Sequence, residues 1–265
     1  MSTSIATASN VNNIVDVALY PLDSSAFRDQ CKAMLDKSGV LMLPEFVLPG
    51  AVQAIKQEGE TRQQHAFYTS SKHNVYLQAN DDSKAADHPR NRSITSSKGC
   101  ITSDQIPNES SLHTLYNSTE FQQFLCAVLD QQALYEYADP LSSINLHYAA
   151  DGQELGWHFD NSSFAITLLI QKPKAGGVFE YVKNARRSDE NEMNYPLVEQ
   201  ILDGELTPSA LAMDEGALVL FRGRDSMHRV TPTEGDTTRM LVVLAYNTQP
   251  GIALSEPARR TFYGR

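Results

Sequence analysis

The chain has 265 residues, 41% hydrophobic and 20% charged, which suits a closed core and excludes disordered or fibrous classes. Its 22 basic and 32 acidic residues give a net charge of −10, so the basic footprint of a phosphate-backbone binder is missing and nucleic acid is not an expected partner. The cysteines Cys31, Cys100 and Cys126 are odd in number, far apart and form no C-x-x-C pair. That excludes a disulfide framework and a thiolate zinc site, and reads as buried free thiols in a reducing compartment.

Met1 to Asn13 is rich in Ser, Thr and Asn and lacks the basic start and apolar run of a signal peptide. It reads as a disordered tail. No run approaches the roughly 18 apolar residues of a membrane span. The expectation is a cytoplasmic protein with one domain over residues 14–265.

The first part, to about residue 140, reads as helical. Ala26 to Ser38 places Phe27, Cys31, Met34 and Leu35 near helical spacing, with Ser24 or Ser25 as cap and Gly39 as stop. Gly39 to Pro44 is a short strand. Leu48 to His65 and Ser118 to Leu134 are further helices, the latter with Phe121, Phe124, Leu125, Val128 and Leu129 on one face. Between them, Ala79 to Ile106 is a long polar stretch containing Asp87-His-Pro-Arg-Asn-Arg92, a candidate lid or substrate wall.

From about residue 141 the period changes to that of strands. Ile144 to Ala149 is followed by Asp151-Gly152, a hairpin signal, and Leu155 to Asp160 runs back. Phe164 to Gln171, Val178 to Val182, Ala210 to Met213, Gly216 to Phe221, Met227 to Val230 and Met240 to Asn247 follow. Lys183 to Glu205 is a polar insertion with a short helix. Many short strands predict a barrel or double-sheet roll with the helical part packed on it, an α+β architecture.

Gly156-Trp-His-Phe-Asp160 carries the chemistry. On a strand, residues two apart point to one face, so His158 and Asp160 can reach one ion. His228 would enter from a later strand. Two histidines and one carboxylate form the facial triad of non-haem Fe(II) oxygenases, with the opposite positions open. Eleven residues on, Arg239 opens an apolar strand. A buried arginine needs an anion, and its planar fork suits a carboxylate such as the far end of 2-oxoglutarate. The alternative for Arg239 is a rim position paired with Glu234 or Asp236.

This H-x-D…H…R pattern resembles the Fe(II)/2-oxoglutarate oxygenase superfamily, whose fold is a double-stranded β-helix, or jelly roll. More closely, Gly156 to Asn161, Phe164 to Gln171, His228, Arg239 and the ending Phe262-Tyr-Gly-Arg265 resemble the free-amino-acid halogenases and related lysine hydroxylases. The resemblance implies Fe(II) and 2-oxoglutarate as cofactors and O₂ as co-substrate. It also implies a small substrate, a free amino acid such as lysine, and release of succinate and CO₂. The halogenases carry a small residue where this chain has Asp160, so hydroxylation is implied. They also tend to carry tryptophans where Phe262 and Tyr263 stand.

Candidate substrate contacts are Arg90, Arg92, Asn161 and Tyr263. Each has a plain alternative: a mobile loop for the two arginines, a turn for Asn161, docked packing for Tyr263. One of His147 and Tyr148 must face inward, and Trp157 faces the core. The competing functions are oxidation of another small metabolite or natural-product precursor, and a non-catalytic metal-binding β-roll sensor.

Overall fold

The computed structural model describes residues 10–265. Most of the expected N-terminal tail lies outside them. Its last residues, Val11–Asn13, instead form a 3₁₀ turn with Val11 buried in the core.

Six α-helices are present among the described residues: α1 Ser25–Ser38, α2 Pro49–Arg62, α3 Ser111–Tyr116, α4 Thr119–Leu129, α5 Tyr195–Leu202 and α6 Glu256–Tyr263. The Ser24 hydroxyl accepts the Phe27 amide and Gly39, at φ 75°, ends α1. Helix α4 buries Phe121, Phe124, Leu125 and Val128 completely. Each such side chain contributes about 1.5–3 kcal/mol, which outweighs the cost of ordering so short a helix.

The strands are β1 Val40–Leu43, β2 Phe67–His73, β3 Ile94–Ile101, β4 Ile144–Ala149, β5 Leu155–His158, β6 Ala165–Gln171, β7 Ala175–Gly176, β8 Phe179–Val182, β9 Ser209–Leu211, β10 Leu218–Phe221, β11 Met227–Val230, β12 Thr233–Glu234 and β13 Arg239–Leu244. Eleven of them form one curled antiparallel sheet in the order β1-β10-β6-β13-β4-β3-β5-β11-β8-β9, with β2 paired to β3. Strands β7 and β12 pair separately. The architecture is a jelly roll with α1 to α4 packed on one face of the sheet.

Leu35, Ile55, Leu115 and Phe124 from the helices share a single core with Leu146, Ile166, Leu218 and Val242 from the sheet. Tyr148 points into that core, where its hydroxyl donates to Gly59 O of α2 at 2.8 Å. Its neighbour His147 therefore faces the interior of the roll.

Two departures from the sequence reading matter for the site. The region expected to be helical and loop-like contains the β2–β3 hairpin. Strand β2 is polar and exposed along most of its length, so it carries no apolar alternation. The turn at Asp151-Gly152 is present, with Gly152 at φ 75°. However, β4 and β5 do not pair with each other; β3 lies between them and pairs with both.

Candidate active site

Strands β5 and β11 run antiparallel, with His158 directly opposite His228. Asp160 lies just past the end of β5. Its amide donates to Gly223 O at 3.0 Å, and the Phe159 amide donates to Val75 O at 2.8 Å. The two loops flanking the end of β5 thus fix the backbone between the histidine and the aspartate.

His158 Nδ1 donates to Gly156 O at 2.7 Å, and His228 Nδ1 donates to Ser226 O at 3.0 Å. Carbonyl oxygens only accept, so these bonds place a proton on each Nδ1 and turn each Nε2 inward. The two Nε2 atoms lie 3.7 Å and 3.5 Å from Asp160 Oδ1. The three donor atoms fall within 4.8 Å of one another.

Burial, then the neighbouring His228, pushes the His158 imidazole well below its usual pKa, so it is neutral and able to ligate. Burial alone would raise the Asp160 carboxyl. His228, His158 and Lys98 outweigh that and hold it below the usual value. Asp160 Oδ2 is buried without a hydrogen-bond partner. An orphaned carboxylate oxygen between two imidazoles is costly on its own and fits a divalent cation.

Arg239, the first residue of β13, is 5% exposed. Its side chain makes no hydrogen bond or ion pair with any described residue. Asp236 is engaged by Lys174 at 2.7 Å, so the rim pairing considered for Arg239 is not formed. Burial pulls the Arg239 guanidinium down to about 10, which leaves it a cation at neutral pH. It faces a cavity of about 280 Å³ that also contains His158, Asp160, His228, Lys98 and His147, with Phe179, Phe221 and Leu241 as apolar wall. That volume is near the lower end for small-molecule sites.

The four candidate substrate residues are not brought into this cavity. Arg90 donates to Ala79 O at 2.8 Å and Gln78 Oε1 at 3.2 Å, and covers the Tyr76 ring. Arg92 pairs with Asp203 at 2.5 Å. The Asn161 carbonyl accepts from Arg224 at 2.9 Å while its side chain is exposed. Tyr263 is buried and donates to Asn145 Oδ1 at 2.9 Å. Trp157 is buried, as expected, under the Arg229 guanidinium.

The sequence reading missed Lys98, Tyr137, Phe179 and Phe221, all of which line the cavity. Lys98 would have been found only by recognising β3 as a strand.

Solved structures share this fold. An oxidoreductase of the 2OG-Fe(II) oxygenase family from Burkholderia pseudomallei superposes with TM-score 0.53 at 13% identity, covering 85% of this chain and 92% of that one. The non-heme alpha ketoglutarate dependent carbocyclase SnoK from nogalamycin biosynthesis gives 0.59 at 12% identity, covering 87% and 89%. The epimerase SnoN from the same biosynthesis gives 0.55 at 11%, covering 84% and 83%. No curated protein sequence matches the chain.

The fold is shared with solved 2OG-Fe(II) and alpha ketoglutarate dependent proteins, and the site offers a His158–Asp160–His228 donor set. The chain belongs to the Halogenase D family, which it matches over residues 24–257. The donor set described above, with the buried Arg239, fits a divalent metal and a dianionic keto acid.

Proposed function

We propose that this protein is a dioxygenase that hydroxylates an unactivated C–H bond of a small polar substrate, a free amino acid such as lysine. The observation that carries the reading is Arg239, a buried and unpaired cation in the same cavity as the His158–Asp160–His228 cluster. A simple metal sensor has no use for such a group. A keto acid chelated at the cluster would place its distal carboxylate there.

In this reading His158, Asp160 and His228 would hold Fe(II). Arg239 would meet the far carboxylate of 2-oxoglutarate and so orient its keto-acid end. When bound, iron with the keto acid and O₂ supplies the oxidising chemistry, releasing succinate and CO₂. Phe179, Phe221 and Leu241 keep the cavity dry and position the substrate.

Membership of the Halogenase D family favours halogenation as a second outcome. Asp160 argues for hydroxylation, because its carboxylate takes the ligand position that a halide would need. The amino-acid assignment is supported by the resemblance of the metal motif and by the small, charged cavity. The reading treats residues 14–265 as one oxygenase unit, supported by the core that helices and sheet share. No described helix is long and apolar enough to cross a membrane. A cytoplasmic setting accords with the three free cysteines.

The test is an anaerobic titration of 2-oxoglutarate into Fe(II)-loaded protein, followed by free amino acids and then air. A visible charge-transfer band, a further shift with one amino acid and a product one oxygen heavier, formed equally with and without chloride, are expected. Absence of the band in folded, iron-replete protein overturns the reading. A chlorinated product overturns the hydroxylase assignment.

A further inference from the structure

Strand β3 supplies a second cation to the cavity. Gly99 pairs with Tyr148, and Arg239 pairs with Ala149. Lys98 therefore flanks Ala149 on one side and Arg239 flanks it on the other. Their backbones are two strand spacings apart, about 10 Å. Tyr148 and Gly99 face away from the cavity, so Lys98, His147 and Arg239 share its inner face.

Lys98 forms no ion pair with any described residue. Its polar contact is His147, whose Nε2 and Nδ1 lie 3.0 Å and 3.2 Å from Nζ. Burial, with the charges of Lys98 and Arg239, holds the His147 imidazole well below its usual pKa. It is therefore a neutral acceptor that does not offset the lysine charge, and burial pulls the Lys98 ammonium below its usual pKa despite the opposing pull of Cys100 and Asp160. Asp160 is the one carboxylate among the residues lining the cavity.

The charges can be followed as the site fills. Asp160 balances Arg239. A divalent ion balances a dianionic keto acid. Lys98 is left over, so the loaded site retains one positive charge. A buried ammonium is expensive unless an anion meets it.

Resting on the oxygenase reading of this cavity, we propose that Lys98 and His147 form a second carboxylate-binding subsite, separate from Arg239, which takes the carboxylate of the primary substrate. His147 is a positioning residue that holds the Lys98 amine toward the cavity. The subsite restricts the substrate to molecules with a free carboxylate. It would reject the corresponding amides, because they leave the ammonium unpaired.

Isothermal calorimetry on Mn(II)-loaded protein tests this without turnover. 2-Oxoglutarate is titrated first, then each standard free amino acid in its presence, then the amide of whichever amino acid binds tightest. In Lys98→Met, 2-oxoglutarate affinity is expected to stay within about twofold, and amino-acid affinity to fall about tenfold or more. The amide should bind wild type at least about tenfold more weakly than the free amino acid, and Lys98→Met should not weaken it further. Lys98→Arg, which keeps the charge, should retain part of the affinity and controls for a folding defect.

Lost affinity for 2-oxoglutarate instead would assign Lys98 to the co-substrate and overturn the proposal. So would unchanged amino-acid affinity in a folded Lys98→Met variant, or wild type that binds 2-oxoglutarate but none of the amino acids. Wild type that fails to bind 2-oxoglutarate at all would bring down the underlying oxygenase reading, and the proposal with it.

Discussion

Gly223 and Asp160 compete for the same space: a Cβ on residue 223 would overlap the Asp160 carboxylate. The carboxylate is held in place by the absence of a side chain opposite it, and by its own amide bonding to Gly223 O at 3.0 Å. Gly223→Ala is therefore expected to turn the carboxylate out of line with the two Nε2 atoms. Mn(II) affinity measured by calorimetry should fall roughly 10- to 100-fold, as when a supporting residue of a metal site is lost. Circular dichroism should stay native. Unchanged affinity would mean that the loop yields and that Asp160 is not held by this contact.

Arg239 contributes to binding at the expense of stability. An unpaired buried cation destabilises the empty protein, and an apolar side chain of similar length removes that cost. Arg239→Met should raise the stability of the metal-free protein by about 1–2 kcal/mol in urea unfolding. Its affinity for 2-oxoglutarate should drop roughly a hundredfold. A variant that is less stable and binds 2-oxoglutarate normally would contradict both parts.

Phe159, between the two ligand-bearing residues on β5 and beyond, points away from the cavity into an aromatic stack. Its ring lies 5.4 Å from Tyr76, and the Arg186 guanidinium covers it at 4.3 Å. Arg186 is itself anchored by donating to Arg224 O at 2.7 Å. Phe159→Leu should keep the apolar volume but lose the stacking, costing about 0.5–1.5 kcal/mol of stability. It should also weaken Mn(II) binding, because the ligands on either side lose a fixed backbone. Stability loss with unaltered metal affinity would confine the stack to a packing role.

The thiols differ in access. Burial pushes Cys31 and Cys100 up to about 11, while Cys126 is raised less and is only partly buried. Iodoacetamide at neutral pH should label Cys126 first, and Cys31 and Cys100 only after unfolding, as read by peptide mass spectrometry. Early labelling of Cys100 would indicate that the β3–β4 pairing opens in solution.

The convergence of His158, Asp160 and His228 and the inward position of Arg239 could be read from sequence because strand geometry converts a spacing of two into a shared face, and because the neighbouring apolar runs marked the strands. The same logic failed for β2 and β3. Phe67 to His73 is exposed on both sides, and Ile94 to Ile101 becomes buried only at its end. Neither shows the alternation that reports a half-buried strand, so Lys98 went unseen. Arg90, Arg92 and Tyr263 have the right chemistry for substrate contacts. Where they point is decided by partners distant in the chain, Asp203 and Asn145 among them. The hairpin expected at Asp151-Gly152 failed for a related reason. A turn is local, but the insertion of β3 between β4 and β5 is a long-range event.

The opposition of His158 and His228 across β5 and β11 has a consequence for how the protein folds and ages. Their strands are separated in the chain by β6 to β10 and the insertion carrying α5. The two imidazoles meet only after this large excursion has closed, so the chelating site is among the late things to form. An ion bound there would act as a clasp on that excursion, adding stability that grows with its occupancy. Starved of metal, the chain would keep its helices and apolar core but hold the far strand of the clasp less firmly. Proteolytic nicking in the α5 insertion would then be an early sign of iron deficiency.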